Sequence, residues 1–278
     1  MATERITRTP EPIGLPRGVP VLAGAMRLQR RALLLWSLAL TGVTLMYVGL
    51  YPSFAGADLT AFTEALPPEL NEAFGYDKIG TPAGYLSSTL YGLLGPALLL
   101  VFAIGTGARL VAGHEEDGTL ELELTAPVNR RRILGERLTA LIIQIVILVA
   151  VMADVTALLV IALDIEIALG DLLAASTGLL LLVVGFGTLA LAVGAATGRR
   201  SVAVGVAAAL AVLAFVFDAL GPSLGAEWMT AVSPFSWYLA DEPLATGFDV
   251  DGLAWLSVIP LVASSVAFTR FGRRDLLV

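Results

Sequence analysis

LTALIIQIVILVAVMADVTALLVIAL, residues 138–163, decides the fold. It runs for 26 residues without proline or glycine and with a single ionisable side chain, Asp154. Crossing the roughly 30 Å hydrocarbon core takes about 20 apolar residues in helical form. The run is continuous, unlike the alternating segments of about ten residues that build a membrane barrel. Working outward in both directions, five more apolar segments appear. Together they predict an all-α integral membrane protein with six transmembrane helices at 32–51, 85–110, 138–163, 172–197, 202–220 and 253–269. Composition agrees, with 57% hydrophobic and 15% charged residues in 278 positions. A soluble domain carries about a quarter charged residues. The stretch 1–31 reads as a tail rich in Pro and Arg, and no cleavable leader is expected there.

Arginine sets the orientation. Arg27, Arg30 and Arg31 precede the first span, Arg109 closes the second, and Arg130, Arg131, Arg132 and Arg137 precede the third. Arg199 and Arg200 join the fourth to the fifth, and Arg270, Arg273 and Arg274 follow the sixth. With both termini cytosolic, every arginine falls inside and only Lys78 faces out, as the positive-inside bias requires. The loops at 52–84 and 221–252 are acidic instead, through Asp58, Glu64, Glu69, Glu72 and Asp77 in one and Glu227, Asp241, Glu242, Asp249 and Asp251 in the other. Such acids keep a loop in water; gathered closely, they also concentrate cations. The second loop holds Trp228, Phe235, Trp237 and Tyr238 among prolines 222, 234 and 243. It reads either as an aromatic belt at headgroup level or as two short helices, split near Ser233-Pro234, re-entering the bilayer under protein cover.

Inside the spans, Gly194 and Gly198 form a GxxxG pair, and Ser201, Gly205 and Ala209 stand four apart. These let helices approach closely, within one bundle or across a dimer seam. Pro96 and Pro260 are expected to kink spans two and six. Asp154 is costly at mid-span and marks either a translocation or proton path or a hydrogen-bonded acid facing a neighbouring helix. Gln144 and Thr156 are its nearest polar companions in sequence, and Asp218 reads as structural.

Reactive chemistry is missing from the sequence. There is no cysteine, no GxxxxGK[ST] phosphate loop, no nucleophile elbow and no HExxH. His114 stands alone without metal-ligand companions. No catalytic, metal or cofactor residue is predicted, and no nucleic-acid partner. Any energy for work must enter through a partner.

The entry point is a polar island between spans two and three, AGHEEDGTLELELTAPVNRRRILGER, residues 112–137. Glu115, Glu116 and Asp117 suit a helix start, and Pro127 stops it. Leu120 and Leu124 share a helical face, although LELEL also suits a short strand. A topology-holding charged loop accounts for the arginines. It does not account for water-exposed leucines, which a partner surface would bury at about 25 cal/mol per Å².

GHEEDGTLELELTAPVNRRRILGERL resembles the E-x-x-GTLE-LL-x-x-P-x-x-R-x-x-x-x-x-K pattern of type-2 ABC transporter permeases, the drug and antibiotic export class. Glu115 or Glu116, Gly118, Thr119, Leu120, Glu121, Leu124, Pro127, Arg130 and Gly135 carry the match. Arg137 replaces the usual Lys, and Glu123 replaces a leucine. FGRRDLLV at the C-terminus is similar to that family's F-x-RRD ending through Phe271, Arg273, Arg274 and Asp275.

The resemblance implies a membrane half-transporter in the plasma membrane of a prokaryote. It would pair with a second copy or sister permease and with two ATP-binding subunits that hold ATP and Mg. The island would be the coupling helix, with the 198–201 turn as a minor contact and 18–31 as an interfacial connecting helix. The cargo would be hydrophobic or amphipathic, and the trailing arginines would hold topology and touch lipid. A lipid-handling or importer-like subunit, and a six-span scaffold or sensor docking a soluble signalling protein, are the other classes open to the residues themselves.

Overall fold

The computed structural model describes residues 20–54, 67, 79–113, 116, 130–239 and 241–273, and all regular structure among them is helical. Six helices are long and apolar enough to cross a membrane: Gly24–Ser53, Pro82–Gly113, Arg131–Ala162, Leu169–Thr197, Arg200–Leu220 and Val250–Phe271. The apolar runs therefore located every span, and the helices overrun them mostly at the ends, where polar residues extend the same turns beyond the hydrocarbon.

Helix α1, Pro20–Phe54, is one unbroken element of 35 residues. At 1.5 Å per residue it is about 52 Å long, well beyond the roughly 30 Å core. A separate surface helix over 18–31 does not appear from Pro20 onward. Val21–Trp36 is rich in Ala, Leu, Met, Gln and Arg and contains no proline, so nothing in the sequence ends the helix there.

The second span, α2, is a composite column. Thr81 caps Pro82–Leu86 by accepting from the Gly84 N–H at 3.0 Å. Ser87–Leu94 then widens into a π-helix, Gly95–Ala108 is α-helical, and Arg109–Gly113 is π-helical again. The Gly95 N–H bonds to Leu90 O, a five-residue step, just before Pro96. Pro96, which lacks an N–H, is accommodated by this widening rather than by a bare kink.

Helix α3 covers Arg130–Ala162, α4 Leu169–Thr197 and α5 Arg200–Leu220. The α4–α5 connection is only Gly198 and Arg199. Gly198 sits at φ +68° and its N–H bonds back to Gly194 O at 2.8 Å, the left-handed cap that glycine adopts without strain. Three short helices follow: α6 Glu227–Ala231, α7 Pro234–Leu239 and α8 Pro243–Thr246. Helix α9, Val250–Arg273, carries Pro260 inside it.

Helices α4 and α2 form the centre: 72% and 61% of their most apolar stretches are buried, against 17–33% for the other four. Lipid tails are as apolar as Leu, so close backbone approach through small residues decides which helices pack. A Cβ at Gly107 on α2 would lie 2.2 Å from Gly187 O on α4, and one at Gly194 would lie 3.4 Å from Ala112 Cβ. Gly194 and Gly198 are thus used within the chain. In contrast, α5 buries Ala203, Ala207, Ala211 and Ala214 and leaves Ser201, Gly205 and Ala209 on its exposed face. A Cβ at Gly205 would meet nothing within 4 Å.

Candidate functional site

The helix ends carrying the arginines gather at one end of the bundle, where the polar island begins. Of the predicted coupling residues, Glu116 is described fully and Arg130 as the first residue of α3. Glu115, Gly118, Thr119, Leu120, Glu121, Leu124 and Pro127 lie outside the described residues. Glu116 is exposed, and its Oε1 accepts from the Arg200 backbone N–H at 2.8 Å. Arg200 opens α5, so a carboxylate meets an unsatisfied donor at a helix start, where negative charge is favoured. A Cβ at Gly113 would come within 3.8 Å of Arg200 Cδ. The end of α2 and the α4–α5 turn are therefore in contact, and Glu116 is bonded at this junction.

A second acid, which the sequence reading passed over, does the same for α1. Glu136 accepts from the Leu22 N–H at 3.2 Å and pairs with Arg132 Nε at 3.0 Å, with its own side chain 8% exposed. Leu22 lies in the first turn of α1, among donors that have no intrahelical partner. The signal was available as a lone acid four residues after Arg132, on the same helical face. Arg137 also departs from expectation. It is 1% exposed, so it is a buried core residue and not a lipid contact.

Asp154 is exposed on the outward face of α3, in a row with Val146, Ala150, Leu158 and Ile161. Gln144 and Thr156 are buried on the other face. The Thr156 hydroxyl donates to Met152 O at 2.8 Å, and Gln144 Nε2 donates to Met26 Sδ on α1 at 3.7 Å. Of the two readings of Asp154, the acid facing a neighbouring helix of this chain finds no partner among the described residues: Asp154 is exposed, turned about 80° from Gln144 and about 160° from Thr156 around α3.

The opposite end is closed by α6–α8. Ser233, fully buried, donates to Ala214 O on α5 at 2.8 Å and accepts from the Phe235 N–H at 3.1 Å. Phe235 packs on Phe215 with ring centroids 5.5 Å apart. The Tyr238 hydroxyl donates to Tyr91 O at 3.1 Å, while Tyr91 and Ser176 hydroxyls share a bond of 3.0 Å. Burial pushes the Tyr238 phenol well above its ordinary pKa, so it stays an O–H donor. Ser236 donates to Asp218 Oδ1 at 2.6 Å, which gives Asp218 a structural bond. Beside this segment, Glu166, Asp171 and Glu242 line an open cavity of about 450 Å³ together with Thr81 and Pro82. Two of these acids come from the short α3–α4 connection and the start of α4, which drew no attention in the sequence.

With six apolar helices and the island junction in place, the family comparison is decisive. The family described as ABC-2 family transporter protein matches this chain over residues 24–276. The chain belongs to the ABC-2 transporter family. A search of curated proteins finds no match. Membership makes the chain a multi-pass membrane permease and implies association with an ATP-binding subunit. Among the described residues no group of three or more His, Cys, Asp or Glu could hold a metal ion. The contacts described at the arginine-bearing end of this ABC-2 permease join carboxylates to backbone donors at helix starts.

Proposed function

We propose that this permease is the membrane half of an exporter for a hydrophobic or amphipathic compound, driven by ATP bound with Mg on two separate subunits. The arginines mark the cytosolic side and the acidic loops the outside. The island is the coupling element, and the observation that carries this reading is the Glu116–Arg200 bond. Through it, a push on the island reaches the start of α5 directly, because helices transmit displacement along their axes as rigid elements. The Gly113 contact gives α2 the same input. The scaffold or sensor alternative has no comparable support.

A second permease copy would sit against the outward face of α5. Ser201, Gly205 and Ala209 are small, four apart and unused by the chain's own packing, the pattern that lets two membrane helices approach closely. At the other end, α6–α7 is a re-entrant hairpin. Ser233 bonds to Ala214, six residues below Leu220, which places the tip about 9 Å below the end of α5. Asp154 faces away from its own bundle, so a path role for it requires cover from outside the chain, as mid-span acids do.

The test is direct. Glu116→Arg and Gly118→Pro should leave membrane insertion intact and weaken ATPase capture at least about tenfold, the effect of losing about 1.4 kcal/mol. Normal ATPase pull-down and normal transport in both variants would overturn the coupling assignment.

A further inference from the structure

We propose that the groove between α4 and α9 is a binding site for one anionic phospholipid, drawn from the leaflet on the arginine-bearing side. The groove holds about 420 Å³ and is lined by apolar side chains alone. Its floor is Ala192 and Ala263, each 4% exposed; its walls include Val193 and Ala196 on α4 and Val262 and Val266 on α9. Alanines between larger neighbours make a channel, which a chain-like apolar occupant fits better than a flat helix face does. The lining residues on α9 run from Val258 to Val266, about 12 Å at 1.5 Å per residue. That is close to the depth of one leaflet, half of the roughly 30 Å core.

Charge at one end of the groove selects the occupant. Ala192 and Ala196 lead along α4 to its end at Thr197, and Arg199 stands in the α4–α5 turn two residues beyond. Val262, Val266 and Arg270 follow one another on α9 at steps of four. Both arginines are exposed. The two helices run in the same direction, and a Cβ at Gly185 would lie 3.2 Å from Ile259 Cγ2. Counting from that contact, Thr197, the last residue of α4, lies 12 residues on and Arg270 lies 11, so the end of α4 and Arg270 stand about 1.5 Å apart in level, with Arg199 in the turn just beyond. Two exposed arginines at the same end of an apolar channel match a phosphate headgroup with an acyl chain beneath it. This site depends only on the chain being in a membrane, not on the transport reading.

The experiment uses the full chain in nanodiscs of phosphatidylcholine containing a minority of phosphatidylglycerol with a diazirine in its acyl chain. Illumination and peptide mapping should place the label on 189–196 and 258–266. Arg199→Gln with Arg270→Gln should lower labelling there about fivefold per arginine. Arg199→Lys with Arg270→Lys should keep most of it, and Ala196→Phe, which fills the channel, should abolish it with the arginines intact. Three results would overturn the proposal: label spread evenly over all lipid-facing helices, an equal loss in a control carrying Arg27→Gln and Arg30→Gln on α1, or displacement of the lipid by inorganic phosphate. The lysine pair also guards against misfolding, because a collapse of both the Gln and Lys pairs with normal melting behaviour counts against the site.

Discussion

The two ends of this bundle are held by different kinds of contact. At the acid-bearing end, a hydroxyl and two aromatic rings are sunk among the helices: Ser233 is fully buried, and Phe235 and Tyr238 are 3% and 4% exposed. At the arginine-bearing end, the links are carboxylates on backbone donors at helix starts, Glu116 on Arg200 and Glu136 on Leu22. A buried neutral hydrogen bond loses its full desolvation cost when broken, about 1–3 kcal/mol. A carboxylate at an exposed helix start, such as Glu116, contributes about 0.3–1 kcal/mol and is screened by salt, and a partly buried one, such as Glu136, contributes up to about 2 kcal/mol. The first kind fastens helices together, and the second lets them move relative to one another at small cost. Under the proposed function, the loosely tied end is the one where the ATP-binding subunit would act.

The largest expected effect tests the fastened end. Gly178 on α4 faces Tyr238, and a Cβ there would lie 2.8 Å from the ring's Cδ2. Gly178→Val should therefore lower stability by about 1–3 kcal/mol through overpacking, read as a fall in melting temperature in detergent. Gly205→Val is the matched control, since a Cβ there meets nothing within 4 Å. It should leave melting unchanged and weaken cross-linking between copies. Equal destabilisation by both would erase the distinction between the inward and outward faces.

Next comes Ser233→Ala. It leaves the buried Phe235 N–H without its side-chain acceptor and removes the bond to Ala214. A loss of about 1–3 kcal/mol is expected, with faster proteolysis in the 221–249 segment. A melting temperature equal to wild type would mean that the hairpin is held by its rings alone.

How far the sequence foretold these contacts follows from what polarity can report. The six spans were legible because a run such as Leu138–Leu163 has no other low-energy state in a bilayer. The break at Ser233-Pro234 was legible because proline excludes helical geometry from the residue before it. Facing was not. Lipid and protein interior are equally apolar, so nothing in the run separates buried Ile145 from exposed Val146. For the same reason the sequence left Asp154 open between a path and an acid facing a neighbouring helix, and its exposed place on α3 could not be read. Glu136 and Arg137 were hidden among four arginines whose charge already explained topology, and the π-helical stretches of α2 leave no periodic mark in an apolar run.

Glu136→Gln sharpens the loosely tied end. The amide still accepts from the Leu22 N–H, so the change isolates charge: the pairing with Arg132 and the attraction to the start of α1. Arg132 is half exposed, so its share is small. A loss of about 0.5–1 kcal/mol is expected, and it should shrink in high salt. A salt-independent loss would show that Glu136 works as part of a closed buried network with Arg137 instead.

The smallest effect on stability, and the most informative on function, is expected from Glu116→Gln. Glu116 is exposed and its acceptor role survives in the amide, so stability should stay within about 0.5 kcal/mol of wild type. What changes is the charge at the start of α5. If the island drives that helix through electrostatic attraction, transport should fall while folding and ATPase capture persist, and wild-type transport should weaken likewise as salt rises, because the attraction of an exposed charge to a helix start is screened by salt. If only the hydrogen bond matters, Glu116→Gln transports normally and Glu116→Ala does not. If both variants transport normally, force enters the bundle through the α2 end at Gly113, and the Glu116–Arg200 bond is a static fastening like those at the far end.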